Sequence, residues 1–126
     1  MSFEQLKDSM HLHPKPIMIK IYTDWCAICK IQNKQFNKDK EIMSKLSTKY
    51  YFVELNAEAK KTILFNQKTY KYIPNGLSSG LHELAFYLGN NNGQLAYPTW
   101  VMLSSNYEII GQYNGLLKAE DIKKVL

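Results

Sequence analysis

The apolar positions of this chain recur with two different spacings, which predict alternating strands and helices. Residues 17–22 form a nearly continuous apolar run, which is typical of a buried parallel strand. Further strands are predicted over residues 50–55, 99–103 and 107–112. Apolar residues three and four apart predict helices over residues 2–10, 26–37, 39–48, 79–88 and 118–126. This order of elements predicts an α/β fold, with a mixed central sheet and helices on both of its faces.

The middle of the chain is its least regular part. Residues 62–65 and 69–73 are rich in β-forming side chains and flank residues 66–68, so a hairpin is predicted there. Pro74 and Gly76 should end the hairpin, and the next helix is expected to begin at Ser79.

The length and composition predict one domain over residues 1–126, because the 45% of hydrophobic residues suffice for a full core. No window approaches the roughly 20 apolar residues of a membrane span. Residues 1–15 are polar and lack the apolar segment of a signal peptide.

The net charge of +5 comes entirely from lysine, since the chain contains no arginine. Nucleic-acid binders commonly use arginine for bidentate contacts, so a nucleic-acid partner is not expected. Lys30, Lys34 and Lys38 recur every four residues and share one helix face. They form either a solvated stripe or an electropositive rim near the cysteines.

Both cysteines of the chain lie in the stretch TDWCAICK, where the first predicted strand gives way to a helix. At a helix N-terminus, unpaired N–H groups and the helix dipole favour the thiolate of Cys26, which is the attacking species in disulfide exchange. Cys29 lies one turn further along on the same side, where it can attack a mixed disulfide at Cys26. A redox-active dithiol is therefore the preferred interpretation.

Two other interpretations of the cysteine pair remain open. A zinc site would need four ligands, which only His11, His13 and His82 could complete. An inert thiol pair, or a non-catalytic binding module on the same fold, is the other alternative.

The sequence resembles the thioredoxin superfamily, and in particular bacterial thioredoxin-like proteins with a WCxxCK site. The residues that carry the resemblance are Asp24–Cys26, Cys29–Lys30, Glu54–Asn56, Tyr97–Thr99 and Gly111. The resemblance implies a thioredoxin-like fold, with Cys26 as the nucleophile and Cys29 as the resolving cysteine. It also implies that Pro98 is a cis-proline facing the dithiol, and that Tyr97 offers backbone groups to substrate. Trp25 would shield the thiolate and shape the docking surface, or it is only a partly exposed aromatic residue.

The charged pair beneath the dithiol departs from the family pattern. Lys20 stands where thioredoxins usually keep a buried acid, and Glu54 stands where they often have a lysine. The pair is therefore swapped in charge. We expect Lys20 and Glu54 to face each other beneath Cys29, with Glu54 handling the proton, unless both simply reach solvent.

A second departure is the length of the segment between Asn56 and Pro98, which exceeds that of thioredoxin. The surplus is assigned to an insertion at about residues 57–79, placed before the cis-proline. The insertion is either a specificity element beside the dithiol or a cover for the sheet.

These features predict a thiol–disulfide oxidoreductase that acts on disulfide-containing proteins, in the reductase direction. It needs no metal and no organic cofactor, and it is expected to be a monomer that receives electrons from a reductase, which can be membrane-bound. An extracytoplasmic, periplasmic location is favoured, because many proteins with this site are exported and a leader could have been removed. The alternative function is a non-catalytic module that binds a partner through Trp25 and Tyr97.

Overall fold

The central sheet has helices on both faces, as the apolar pattern predicts. The computed structural model describes residues 1–126. Its helices are α1 (Phe3–Leu12), α2 (Ala27–Lys38), α3 (Lys40–Thr48), α4 (Glu83–Gly89) and α5 (Ala119–Val125). Its strands are β1 (Ile17–Tyr22), β2 (Tyr51–Asn56), β3 (Ile63–Phe65), β4 (Lys68–Tyr70), β5 (Tyr72–Pro74), β6 (Gly80–His82), β7 (Thr99–Leu103) and β8 (Ile109–Asn114). None of the helices combines the length and the apolar character that a membrane span requires.

Four strands make up the central sheet, in the order β2-β1-β7-β8. β1 pairs in parallel with β2 and antiparallel with β7, and β7 pairs antiparallel with β8. The sheet is therefore mixed, as predicted. Because β1 has a strand on each side and helices above and below, its apolar run is buried along almost its whole length.

Alternate side chains of β1 enter two separate hydrophobic clusters, one on each face of the sheet. On one face Ile17, Ile19 and Ile21 pack with residues of α1 and α4. On the other face Met18 packs with residues of α2, α3 and α5. Full burial of one such aliphatic side chain contributes about 1.5–3 kcal/mol to folding. Lys20 occupies a position on the second face, directly beneath α2.

Local capping contacts explain where the first helices begin. Ser2 and Gln5 form a reciprocal capping box at the start of α1. Asp39 caps α3 by accepting hydrogen bonds from the N–H groups of Glu41 and Ile42. At α2 the capping residue is Cys26.

The middle segment differs from its prediction in one respect, since it forms two hairpins. The predicted hairpin exists as β3–β4, and Asn66 and Gln67 turn the chain with φ values of 49° and 67°. These values belong to the left-handed region that tight hairpin turns require. Its second strand ends at Tyr70, whereas a strand through residue 73 was expected, and β5 pairs with β6 instead. Phe65 and Tyr70 are buried in the same cluster as Ile17, Ile19 and Ile21 of β1. This hairpin therefore covers one face of the sheet.

The predicted helix start at Ser79 is wrong, because Gly80 to His82 form strand β6 and α4 begins at Glu83. A Cβ atom at Gly80 would overlap the Tyr72 ring, so the close approach of β5 and β6 requires glycine there. The His82 imidazole caps α4 by accepting the N–H of Leu84 at 3.1 Å.

The last sheet strand starts two residues later than predicted. Tyr107 adopts φ 66° in the turn after β7. The pairing of β7 with β8 also shifts in register between Met102 and Leu103. All residues of β8, which lies at one edge of the sheet, are exposed.

Candidate active site

The two cysteines lie directly after the carboxyl end of β1. The chain turns after Tyr22, and the N–H of Cys26 donates to the carbonyl oxygen of Thr23 at 3.3 Å. Helix α2 then begins at Ala27. This places the cysteines at the edge of the sheet where open α/β folds carry their sites.

Cys26 and Cys29 are joined as a disulfide, with their Cα atoms 5.3 Å apart. The Sγ atom of Cys26 is also the N-terminal cap of α2, because it accepts the backbone N–H of Cys29 at 3.1 Å. A helix N-terminus stabilises negative charge, so the same N–H group favours a thiolate on Cys26 once the disulfide is reduced. Both residues are nearly covered, with 5% of Cys26 and 2% of Cys29 exposed.

Trp25 presents an exposed aromatic surface beside the disulfide, with 66% of the residue accessible. Its indole N–H donates to Glu58 at 3.0 Å. Its ring meets that of Tyr97 edge to face, with the centroids 5.7 Å apart. Burial raises the pKa of the Tyr97 phenol, and the charge of Glu58 raises it further. These two contacts hold the Trp25 ring in one orientation, while most of the residue stays accessible to solvent.

The Tyr97–Pro98 peptide bond is cis and lies at the same end of the sheet. Thr99, the next residue, is the register partner of Ile21 on β1. The Pro98 carbonyl oxygen accepts the N–H of Gly115 at 2.7 Å, and the Thr99 hydroxyl donates to Ala96 at 2.6 Å. These contacts fix the loop, whereas the backbone N–H and carbonyl of Tyr97 have no hydrogen-bond partner within the protein.

Lys20 and Glu54 occupy adjacent register positions on β1 and β2, but no salt bridge joins them. The Lys20 ammonium donates instead to the carbonyl oxygen of Cys29 at 3.3 Å and to Oδ1 of Asn33. Lys20 is 1% exposed, whereas Glu54 is exposed. The lysine therefore lies beneath the first turns of α2, against the backbone of Cys29, while the carboxylate is exposed to solvent.

A buried glutamine, which the sequence interpretation missed, anchors α2. Gln32 is fully buried and donates to the Leu117 carbonyl at 2.8 Å. Its Oε1 accepts the N–H of Leu117 at 2.7 Å and the indole N–H of Trp100 at 3.2 Å. The spacing Cys29, Gln32, Phe36 places it on the buried face of α2, and that periodicity could have revealed it.

The histidines that a zinc site would need do not gather around the cysteines. No group of three or more His, Cys, Asp or Glu side chains is arranged to hold a metal ion. His82 is fully buried, with Nδ1 accepting from Leu84 and Nε2 placed 2.8 Å from the Lys61 carbonyl oxygen. Both of its nitrogens therefore have structural partners.

Solved thioredoxin structures share this fold at low sequence identity. The germline thioredoxin Deadhead from Drosophila superposes with a TM-score of 0.61 at 16% identity, covering 97% of this chain and 89% of that one. Thioredoxin f2 from Chlamydomonas reinhardtii gives 0.57 at 17% identity, covering 99% and 89%. A thioredoxin-fold protein from Helicobacter pylori gives 0.62 at 17% identity, covering 84% of this chain and 63% of that one. Identities this low establish the fold alone.

No curated protein matches the sequence. The family model described as a thioredoxin-like domain, in contrast, matches residues 3–126. A fold of this kind with a disulfide between Cys26 and Cys29 supports a thiol–disulfide redox function in general. The chain belongs to the thioredoxin-like domain family.

Proposed function

We propose that this protein is a thiol–disulfide oxidoreductase that reduces disulfides in other proteins, with Cys26 as nucleophile and Cys29 as resolving cysteine. The observation that carries the proposal is the position of Cys26, whose Sγ caps α2 and accepts the N–H of Cys29 at 3.1 Å. That environment favours the thiolate, which is the nucleophile of disulfide exchange.

The reaction starts from the reduced dithiol. The Cys26 thiolate attacks one sulfur of the substrate disulfide, the substrate S–S bond breaks, and the departing substrate thiolate takes up a proton. Cys29 then loses its proton and attacks Sγ of Cys26. The second substrate thiol leaves, and the Cys26–Cys29 disulfide seen in the structure forms. Two electrons pass to the substrate, so a separate reductase must return two electrons to this protein.

Two features support a protein substrate in an extended conformation. The exposed Trp25 side chain offers apolar contact next to the disulfide. The free backbone N–H and carbonyl of Tyr97 can pair with a substrate main chain, as an edge strand would.

Insulin reduction in the presence of dithiothreitol tests the proposal. The wild-type chain should accelerate insulin precipitation, and Cys26→Ser should abolish the acceleration. Cys29→Ser should instead accumulate a mixed disulfide through Cys26, because the resolving thiol is missing. A wild-type chain that performs no better than dithiothreitol alone would contradict the proposal.

Equilibration with glutathione of defined redox state tests whether the protein reduces substrate disulfides or forms them. A potential near about −270 mV is expected for a reductase, whereas one near about −120 mV would indicate an oxidant.

A binding module is the second candidate, and the exposed Trp25 beside Tyr97 favours it because this surface needs no electron transfer. Cys26→Ser separates the candidates. A binding module retains its protein partner after this substitution, whereas the oxidoreductase loses covalent capture of its substrate.

We also propose that the protein works outside the cytoplasm, since its TDWCAICK site resembles that of exported thioredoxin-like proteins. Fractionation of the source cells tests this, and recovery of the chain only in the cytoplasmic fraction would contradict it.

A further inference from the structure

Lys20 is a buried cation that contacts the backbone of the resolving cysteine. Only 1% of the residue is exposed, and it is among the largest fully buried side chains in the protein. Its Nζ donates to the Cys29 carbonyl oxygen at 3.3 Å and to Oδ1 of Asn33. Both partner atoms are acceptors, which suits the donors of a protonated ammonium.

No carboxylate within salt-bridge distance neutralises this charge. On β1, the ring of Tyr22 lies 5.8 Å from Nζ. On β2, Glu54 is the register partner, but it is exposed and forms no salt bridge. On β7 the partner is Trp100, which is neutral. Burial lowers the pKa of Lys20, and the charge of Glu54 opposes that effect.

We propose that Lys20 is a positioning residue of the dithiol reaction, whose buried positive charge stabilises the thiolate of Cys29 and thereby favours the reduced form of the protein. This inference rests on the proposed oxidoreductase function. It assigns the lysine a purely electrostatic part, in which the ammonium keeps its proton throughout.

The proton balance of the resolving step follows from this assignment. The Cys29 thiol releases its proton and attacks Sγ of Cys26, and the substrate thiolate that leaves takes up a proton. Lys20 stabilises the anion that exists between these two events. The disulfide carries no negative charge, so Lys20 stabilises the reduced dithiol more than the disulfide. Lys20 contacts the backbone of Cys29, and an opposite charge within about 4–6 Å of an acid shifts its titration by about one to three pH units.

The first test measures the titration of Cys29 in Cys26→Ser, from the ultraviolet absorbance of the thiolate. With Lys20 intact, the midpoint should lie below the ordinary thiol value of about 8.5. Lys20→Met should raise the midpoint by about one pH unit or more. The matched control is Lys30→Met, which removes the same charge from an exposed position and should move the midpoint far less.

Lys20→Gln separates charge from hydrogen bonding, because glutamine can still donate to the Cys29 carbonyl. A midpoint raised in both Lys20 variants supports stabilisation of the thiolate by the charge of Lys20. A midpoint raised in Lys20→Met alone would overturn the proposal. If the Lys20 variants do not fold, the Cys29 midpoint with Lys20 intact still decides, since a value above about 8.5 contradicts a stabilised thiolate.

Glu54→Gln distinguishes this proposal from proton transfer through Glu54. Loss of a negative charge beside Lys20 should lower the Cys29 midpoint, because Glu54 then acts only through its charge. A raised midpoint with slower turnover would overturn the electrostatic assignment.

The equilibrium of the intact dithiol with glutathione provides an independent readout. Lys20→Met should shift it at least about tenfold towards the disulfide, equivalent to about 30 mV, while Lys30→Met should leave it nearly unchanged. An equal shift in both variants would contradict the proposal. Failure of the wild-type chain to reduce insulin would instead refute the oxidoreductase function, so the two failures are distinguishable.

Discussion

Replacing Gln32 by leucine should show how strongly the helix that carries the cysteines depends on one buried amide. Gln32 makes three hydrogen bonds, one to the indole of Trp100 and two to the backbone of Leu117. Leucine is apolar and only about one methylene larger, so the substitution removes the hydrogen bonds while keeping the site filled.

The expected loss of stability follows from the groups that leucine cannot satisfy. The Trp100 N–H and the N–H and carbonyl of Leu117 would remain buried without these partners, and each such group costs about 1–3 kcal/mol. Burial of the apolar leucine side chain offsets about 1.5 kcal/mol or more of this cost. We therefore expect Gln32→Leu to lower the free energy of unfolding by about 2–7 kcal/mol, out of a typical total of about 5–15 kcal/mol.

Urea unfolding of the oxidised protein measures this loss, with the disulfide kept intact so that only the glutamine contacts change. The transition midpoint should fall while the dependence of unfolding free energy on urea stays the same. Gln35→Leu, at an exposed position on the same helix, is the matched control and should change stability by no more than about 0.5 kcal/mol. If Gln32→Leu costs less than about 1 kcal/mol, or no more than the control, the reasoning about buried unpaired groups is wrong.

Contacts near the surface give three shorter tests. Hydrogen bonds from Lys123 and from the backbone lower the pKa of Asp39, so its stabilisation exists above its unfolded pKa and is lost as the pH falls through its folded pKa. Asp39→Asn should therefore lose less stability on acidification than the wild type, as measured by unfolding across acidic pH. Burial raises the pKa of Tyr97 and the Glu58 charge adds to it, so Glu58→Gln should lower that pKa in an ultraviolet titration. Gln67→Gly should raise the free energy of unfolding by about 0.5–2 kcal/mol, because a non-glycine residue at φ 67° costs about 1–3 kcal/mol and the extra chain entropy of glycine costs only about 0.5–1 kcal/mol. A lower thermal midpoint would contradict this.

The elements that could be predicted are those whose signal is local. The run Ile17–Tyr22 has the observed limits of β1, because burial on both faces requires continuous apolarity. The cap at Asp39 places α3 within one residue for a similarly local reason. Residues 80–82 were misassigned because the spacing of Leu81, Leu84 and Leu88 fits a helix, whereas their strand pairs with β5 across the turn.

The site was predictable to the extent that its chemistry lies in contiguous residues. Cys26 and Cys29 form the disulfide, and Trp25 stands exposed beside it. The acceptor of Lys20 was not predictable, because the rotation of α2 brings Asn33, rather than Glu54, within hydrogen-bond distance. The sequence likewise contains no sign that Glu58 would bind the indole of Trp25, since the contact depends on the path of the chain after β2.

The two ends of the middle segment meet, and this closure bears on how the chain could have diversified. The N–H of His82 donates to the Ala57 carbonyl oxygen at 2.7 Å, so the residues between them leave the sheet and return to the same point. A segment closed in this way can change in length without moving the strands at its base, because the entropic cost of closing a loop rises only slowly with loop length. The two hairpins differ in how well they tolerate such changes in length. Phe65 and Tyr70 of the first hairpin belong to the core, whereas residues 74–79 at the tip of the second are all exposed. Insertions and deletions in related genes are therefore expected to accumulate at that tip.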